Sequence, residues 1–317
     1  MIQIGKVAIN MHISVLLDEA IDGLNLKEDG IYVDCTLGYA GHSSRILKKI
    51  IRGCLFAFDQ DVDAINYSFK KLSEIGDNFT IIKSNFVNIK EELEKKDTYE
   101  VDGILFDLGV SSPQLDQGNR GFSYHQDAKL DMRMDKDNPI SAYTVVNEYS
   151  ESDLTRIFYQ YGEEKYSRSI AKNIVKARSI KNIETTFELV EIIKESVPEK
   201  AKRTKHPARK VFQAIRIEVN HELDILEKTM NDSLSLLKVG GRLAVITFHS
   251  LEDRIIKNIF KEKTMVDQRV RGLPNIPDEY LPDFKLVNSK AIVASDEELE
   301  LNPRARSAKL RIIERVK

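Results

Sequence analysis

The stretch Gly30-Ile-Tyr-Val-Asp-Cys-Thr-Leu-Gly-Tyr-Ala-Gly-His42, followed by a helical run and then Cys54-Leu-Phe-Ala-Phe-Asp59, decides how this chain is built. Ile31 to Val33 are apolar and β-prone and read as a buried strand, with Asp34 at its carboxyl end. Thr36 to Gly41 form a small-residue turn, where minimal side chains let a ligand approach the backbone. The run from His42 to Ile50 predicts a helix whose N-terminal N–H groups face that turn. A second strand, Leu55 to Phe58, ends on Asp59. An acid at that tip, about 20 residues beyond a glycine turn, is placed to accept hydrogen bonds from two ribose hydroxyls. The pattern predicts a nucleoside pocket.

A dinucleotide fits it poorly, because its fingerprint wants glycine where Ala40 and Ser43 stand. Asp34, just before the turn, would repel a pyrophosphate and attract a cation. S-adenosylmethionine carries a sulfonium and an ammonium, so it suits the site.

Outward from this stretch the elements alternate. A helix is expected over Val62 to Leu72, a strand over Phe79 to Ile82 and a helix from Phe86 to about Lys95. The strand Val101-Asp-Gly-Ile-Leu-Phe-Asp107 again ends on an acid. Such alternation predicts a parallel sheet with helices on both faces and ligands at the strand carboxyl ends. From Leu108 to about Asn138 the chain is rich in Gly, Ser, Asp and Asn, too long for an ordinary connection and therefore a functional loop. Helical patterns follow. Ser150 with Asp153 and Thr185 with Glu188 have the spacing of N-terminal caps, ahead of apolar faces at Leu154, Ile157 and Phe158 and at Leu189, Ile193 and Val197. One long helix is expected from Ala208 to Leu237, ended by Gly240-Gly241, then a strand over Arg242 to Phe248, a helix over Leu251 to Phe260 and a closing strand over Ala308 to Ile313. The fold class is thus α/β, a Rossmann-like sheet domain over residues 1–112 and 212–317, with an all-α domain inserted over 113–211.

Composition is that of an ordinary globular protein, 42% apolar and 31% charged. No apolar run approaches the length of a membrane span and no signal peptide is evident, so a cytoplasmic location without a membrane partner is expected. The only cysteines, Cys35 and Cys54, fall in buried strands without a CxxC. The six histidines lack metal-ligand spacing, so no metal is expected. A net charge of −2 does not advertise a polyanion binder. Basic residues nevertheless cluster locally, at Arg168, Lys172, Lys176 and Arg178, and in Lys200-Ala-Lys-Arg-Thr-Lys-His-Pro-Ala-Arg-Lys210. Lys202, Arg203, Lys205 and Arg209 are the expected phosphate contacts. Phe122 and Tyr124 could stack on an extruded base or pack against the sheet.

The segment Asp107-Leu-Gly-Val-Ser-Ser-Pro-Gln-Leu115 carries the expected chemistry. An aromatic exocyclic amine is a poor nucleophile, because its lone pair is delocalised into the ring. Oxygens that accept its N–H bonds favour a pyramidal nitrogen able to attack a sulfonium methyl. Asp107, Ser111 and Ser112 are the catalytic candidates. Ring-carbon methylation would need a cysteine nucleophile, and neither cysteine follows the fourth strand. His249, Ser250 and Asp253 lie on one turn without a nucleophile elbow, which argues against a hydrolase triad.

These residues together resemble the bacterial enzymes that methylate N4 of a cytidine in the decoding region of 16S ribosomal RNA. The matching segments run from His12 to Glu19, Asp34 to Ser43, Asp102 to Asp116, Arg120 to Ser123, Leu130 to Asp135, Tyr161 to Glu164, Phe212 to Asn220, Phe248 to Arg254 and Asn302 to Ser307. The resemblance implies a class I methyltransferase domain and an inserted helical domain that recognises substrate. It further implies S-adenosylmethionine contacts from Ala40, Gly41 and His42, with Asp59 on the ribose, Phe86 near the adenine, and Asp107 and Gln114 completing the site. The implied partner is 16S ribosomal RNA or the small subunit; whether the protein acts as a homodimer is left open. The chain departs from the family where Tyr39 and Ala40 stand in place of a more glycine-rich turn. Two other readings compete: a DNA amino-methyltransferase, and a non-catalytic RNA-binding assembly factor on the same scaffold.

Overall fold

A computed structural model describes residues 14–110, 120–203, 206–270 and 274–317. Ser111, Ser112, Gln114 and Lys205 lie outside these residues, as does the start of the His12 segment.

The first half alternates as expected. Helix α1 (Leu17–Leu24) leads into β1 (Ile31–Asp34), α2 (Gly41–Lys49), β2 (Cys54–Asp59), α3 (Val62–Ser73) and β3 (Phe79–Lys83). A single 3₁₀ turn, Phe86–Asn88, then enters α4 (Ile89–Glu94), and β4 spans Val101–Asp107. Helix α3 starts where Asp61 accepts the Asp63 N–H, an N-cap that leaves one fewer orphan donor. After the long loop come α5 (Ala142–Glu148), α6 (Glu151–Gln160), α7 (Ser167–Arg178), α8 (Thr186–Glu195), α9 (Glu199–Lys202), α10 (Ala208–Asn220) and α11 (Leu226–Ser235). Strand β5 (Leu237–Thr247), α12 (Ser250–Lys263), β6 (Phe284–Leu286), α13 (Asp296–Leu301) and β7 (Lys309–Arg315) complete the chain.

The seven strands form one sheet in the order β3-β2-β1-β4-β5-β7-β6. Neighbours from β3 to β5 are parallel, and β7 runs antiparallel to β5 and β6. The order reverses between β1 and β4, which opens a crevice at their carboxyl ends. This is the Rossmann-like α/β class that the sequence predicts.

Strand periodicity sorts side chains onto two faces. Val33, Phe58, Ile104, Phe106, Leu243 and Val245 join one core with residues of α4, α11 and α12. Tyr32, Leu55, Ala57, Leu105, Ala244 and Ile246 join the other, with residues of α1, α2 and α3. The helices from α5 to α10 enclose a third core of their own, built from Val145, Leu154, Phe158, Ile174, Leu189, Phe212 and Ile215 among others. Both expected caps form: Ser150 accepts the Asp153 N–H, and Thr185 and Glu188 make a reciprocal capping box.

Two expectations need correction. The helix predicted over Ala208 to Leu237 is two helices, broken after Asn220, where His221 takes a left-handed conformation (φ 52°). Asn220 is held at the break by accepting from Met134 N–H and donating to the Met132 carbonyl. Gly240-Gly241 does not end a helix either. It lies inside β5, in a bulge where the pairing jumps from Val101–Leu237 to Gly103–Arg242, and Gly240 (φ 81°) turns the extra residues out. The expected boundary between residues 211 and 212 falls within α10, whose buried residues Val211, Phe212, Ile215 and Val219 all belong to the helical core.

Candidate active site

At the carboxyl ends of β1, β2 and β4 the chain encloses a cavity of about 380 Å³, ample for a nucleoside. Its floor and one wall are strand ends and turns: Thr36, Gly38, Tyr39, Gly41, His42, Asp59, Phe86 and Asp107. The helical unit also lines it, through Phe122, Tyr124, Met134, Arg209, Phe212, Gln213 and Arg216. Phe248 and His249, after β5, and Arg304 close the remaining side.

The turn after β1 is shaped by left-handed residues at Gly38 (φ 48°) and Ala40 (φ 55°). For alanine this conformation costs about 1–2 kcal/mol, carried by the surrounding packing. Ala40 is completely buried and caps α2 through its backbone, and it does not line the cavity, whereas its neighbours Tyr39, Gly41 and His42 do. A Cβ on Gly41 would collide with Ser14 Oγ, so any side chain there would push the Ser14 hydroxyl aside.

Asp34 does not play the part foreseen for it. Its carboxylate is buried and does not line the cavity. One oxygen takes the Ser43 hydroxyl at 2.6 Å and the other the Thr36 N–H at 3.1 Å. Burial pushes its pKa up, and these hydrogen bonds offset only part of that. Asp34 therefore organises the turn, while the acids that face the cavity are Asp59 and Asp107.

Asp59 accepts the Gly38 N–H with one oxygen and the Asp61 N–H with the other, both at 2.8 Å. Each oxygen keeps a lone pair for a ligand hydroxyl. Burial raises its pKa to about 6 despite those bonds, so it is mainly ionised at neutral pH. Beyond it, Phe86 packs edge-on against Phe106 at 5.5 Å and offers a flat apolar surface to the cavity.

Asp107 is more strongly perturbed. Burial, then the like charges of Asp34 and Glu252, push its pKa up to about 8. One oxygen lies 3.8 Å from Nδ1 of His42, whose other ring nitrogen meets the Val15 carbonyl at 3.2 Å. The second oxygen, Oδ1, is buried without a hydrogen-bond partner among the described residues. A buried polar atom without a partner at the edge of a nucleoside-sized cavity can take a hydrogen bond from a ligand. Thr36 positions it: its hydroxyl oxygen accepts the Asp107 N–H at 2.7 Å and lies 3.4 Å from Asp34. Nothing in the sequence around Thr36 signalled that role.

Behind Phe248 lies a buried polar cluster that sequence reasoning also missed. Glu252 accepts the N–H groups of Phe248 and His249, and His249 Nε2 lies 3.1 Å from its other oxygen. Arg216 grips Glu222 with a fork at 2.8 and 2.7 Å. Glu222, His249 and Glu252 bring ligand atoms within 4.8 Å of one another. The Arg216 guanidinium pairs with Glu222 there, and Glu252 faces His249.

The expected phosphate contacts among the described residues differ in their surroundings. Arg209 is exposed at the cavity mouth. Arg203 is exposed, and Lys202 pairs with Glu199 within its own short helix. Arg168, Lys172 and Lys176 form an exposed stripe along α7, while Arg178 turns inward to cap the carbonyls of Val146 and Tyr149. Phe122 and Tyr124 pack on the helical core rather than on the sheet, with Tyr124 stacked on His206 at 4.6 Å.

Comparison with known proteins identifies the family. The sequence profile of the MraW methylase family matches residues 9–316. Ribosomal RNA small subunit methyltransferase H of Exiguobacterium sibiricum is 58% identical over 307 residues, covering 96% of this chain and 98% of that one. Among solved structures, an rRNA methylase from Streptococcus thermophilus aligns with a TM-score of 0.45 at 12% identity, covering 97% of this chain and 99% of that one. An SAM-dependent O-methyltransferase from Thermotoga maritima aligns with a TM-score of 0.41 at 10% identity, covering 97% and 69%. A match of this extent, at this identity over nearly the full length, makes the chain a member of the MraW methylase family.

Proposed function

We propose that this protein is a cytoplasmic S-adenosylmethionine-dependent methyltransferase that methylates N4 of a cytidine in the decoding region of 16S ribosomal RNA, with the small subunit as its partner. The observation that carries this reading is the cavity itself. Nucleoside-binding groups, Asp59 and Phe86, share it with the orphaned oxygen of Asp107 and with a wall from the helical unit. The 58% identity to a ribosomal RNA small subunit methyltransferase supports the substrate class.

S-adenosylmethionine supplies, when bound, an electrophilic methyl group on a sulfonium. The residues present suit it. Asp59 would accept from the ribose hydroxyls, Phe86 would cover the adenine, and the unpartnered Asp107 Oδ1 would receive an N–H donor. The backbone at Gly41 and His42 would approach the ligand closely, and Gln114 would complete the site. Asp107, with Ser111 and Ser112 on the loop that follows it, would accept from the target amine and turn its lone pair toward the methyl group. Holding both partners in one enclosed cavity supplies most of the remaining acceleration. The helical unit would recognise RNA, with Lys202, Arg203, Lys205 and Arg209 on phosphates.

The deciding experiment is labelled methyl transfer to small ribosomal subunits lacking the modification, with nucleoside analysis of the product. N4-methylcytidine is the expected product. Transfer to duplex DNA instead, or none to either, overturns the reading.

A further inference from the structure

One face of α10 lines the cavity, where Arg209, Phe212, Gln213 and Arg216 recur at helical spacing. Two of these residues are fixed in ways that leave one polar edge each. The Gln213 amide nitrogen donates to the Tyr161 carbonyl at 3.0 Å, and no described group donates to its oxygen. Arg216 commits Nε and Nη2 to the Glu222 carboxylate, and no described group accepts from Nη1. Both anchors come from outside α10, so neither side chain can rotate freely.

An acceptor beside a donor is the complement of one pyrimidine edge. Cytosine presents an amine donor at N4 and acceptors at N3 and O2, whereas uracil presents an acceptor at position 4. Phe212, with Tyr124 edge-on to it at 5.7 Å, adds an apolar surface on which an extruded base can rest.

We propose that Gln213 reads the target amine and that Arg216 donates to the O2 edge, so that α10 sets the preference for cytosine over uracil. This inference rests on the reading above of a cytidine-methylating enzyme. Uracil would set its O4 against the Gln213 oxygen, two acceptors facing each other with no proton between them. Rejecting a base that leaves a buried polar group unpaired is an effective form of discrimination. The same acceptor would restrain the amine alongside Asp107.

The test is a cycle of binding measurements on full-length protein with small subunits reconstituted from 16S RNA carrying cytidine or uridine at the methylated position. The unaltered protein is expected to prefer the cytidine subunits by about tenfold or more. Gln213→Leu should bring that ratio close to one while leaving S-adenosylmethionine affinity within about twofold, which also shows that the variant is folded. Arg216→Lys should weaken binding to both subunits alike, since both bases carry O2. A cytidine preference unchanged by Gln213→Leu overturns the proposal, and so does an unaltered protein that does not discriminate. Failure of the parent reading is distinct: the unaltered protein would then methylate no cytidine N4 at all.

Discussion

Arg120 and Asp61 form an ion pair at 2.8 Å with both side chains almost fully buried. It joins two parts of the chain with different duties. Asp61 caps α3 on the sheet side, and Arg120 opens the segment that enters the helical core, where it also donates to the carbonyl of Arg133. Truncating one partner of such a pair strands the other charge and costs about 3–5 kcal/mol. Arg120→Ala should therefore lower the thermal midpoint markedly. An unchanged midpoint would mean the pair is not formed in solution.

In the function proposed above, Asp107 is expected to make cofactor binding pH-dependent. With its pKa at about 8, the free protein holds it protonated at neutral pH, and its surroundings are His42, Asp34 and Glu252. A cationic ligand beside it favours the carboxylate, so binding below pH 8 releases a proton. Affinity for S-adenosylmethionine should rise with pH, by up to about tenfold per unit, and level off above pH 8. The sign for stability is opposite. A raised carboxyl pKa stabilises the free fold fully only below the ordinary carboxylate range, and that contribution fades as pH rises through 8. Calorimetry in buffers of differing ionisation enthalpy measures the proton count, and Asp107→Asn should reduce it to near zero.

Asp59→Ala should weaken cofactor binding about 10- to 100-fold, the scale of charge-assisted hydrogen bonds removed from a partly buried site. Part of that effect comes from the turn, because Asp59 also holds the Gly38 N–H. Unchanged affinity by calorimetry would remove Asp59 from the ribose position.

Thr36→Val keeps shape but removes the oxygen that accepts the Asp107 N–H. We expect a loss of about 1–3 kcal/mol in stability, recovered largely by Thr36→Ser, which restores the hydroxyl. Denaturant unfolding of the two variants checks it, and equal stabilities would show that the hydroxyl is not needed.

Lys202, Arg203 and Lys205 changed together to Ala should weaken RNA binding and flatten its dependence on salt, by about one unit of slope for each phosphate no longer neutralised. An unaltered slope would mark them as a solvated surface. Lys202, already paired with Glu199, should contribute less than Arg203.

Much of the fold is written locally. Apolar β-prone runs, apolar helical faces and the caps at Ser150 and Thr185 act through neighbours a few residues away. These signals, with the acids ending β2 and β4, made the sheet, the pocket and the positions of Asp59 and Asp107 readable from the amino-acid order. The break after Asn220 was not readable, because its cause is hydrogen bonding to Met132 and Met134, more than eighty residues away in sequence. Gly240-Gly241 misled for a related reason: glycine serves a helix end and a strand bulge equally well, and only pairing with β4 selects the bulge.

What the chain order determined alone is therefore the set of elements, the sheet they make and the acid-tipped turn that suits a nucleoside. Tertiary structure alone decided which way each acid faces and what else lines the cavity. Asp34 is turned inward by Ser43 and Thr36, and Gln213 and Arg216 meet the cavity of Asp59 and Asp107 because a separately packed helical core, tied by Arg120 to Asp61, holds α10 there. Such convergence has no local signature, since the free energy that enforces it comes from burying side chains far apart along the chain.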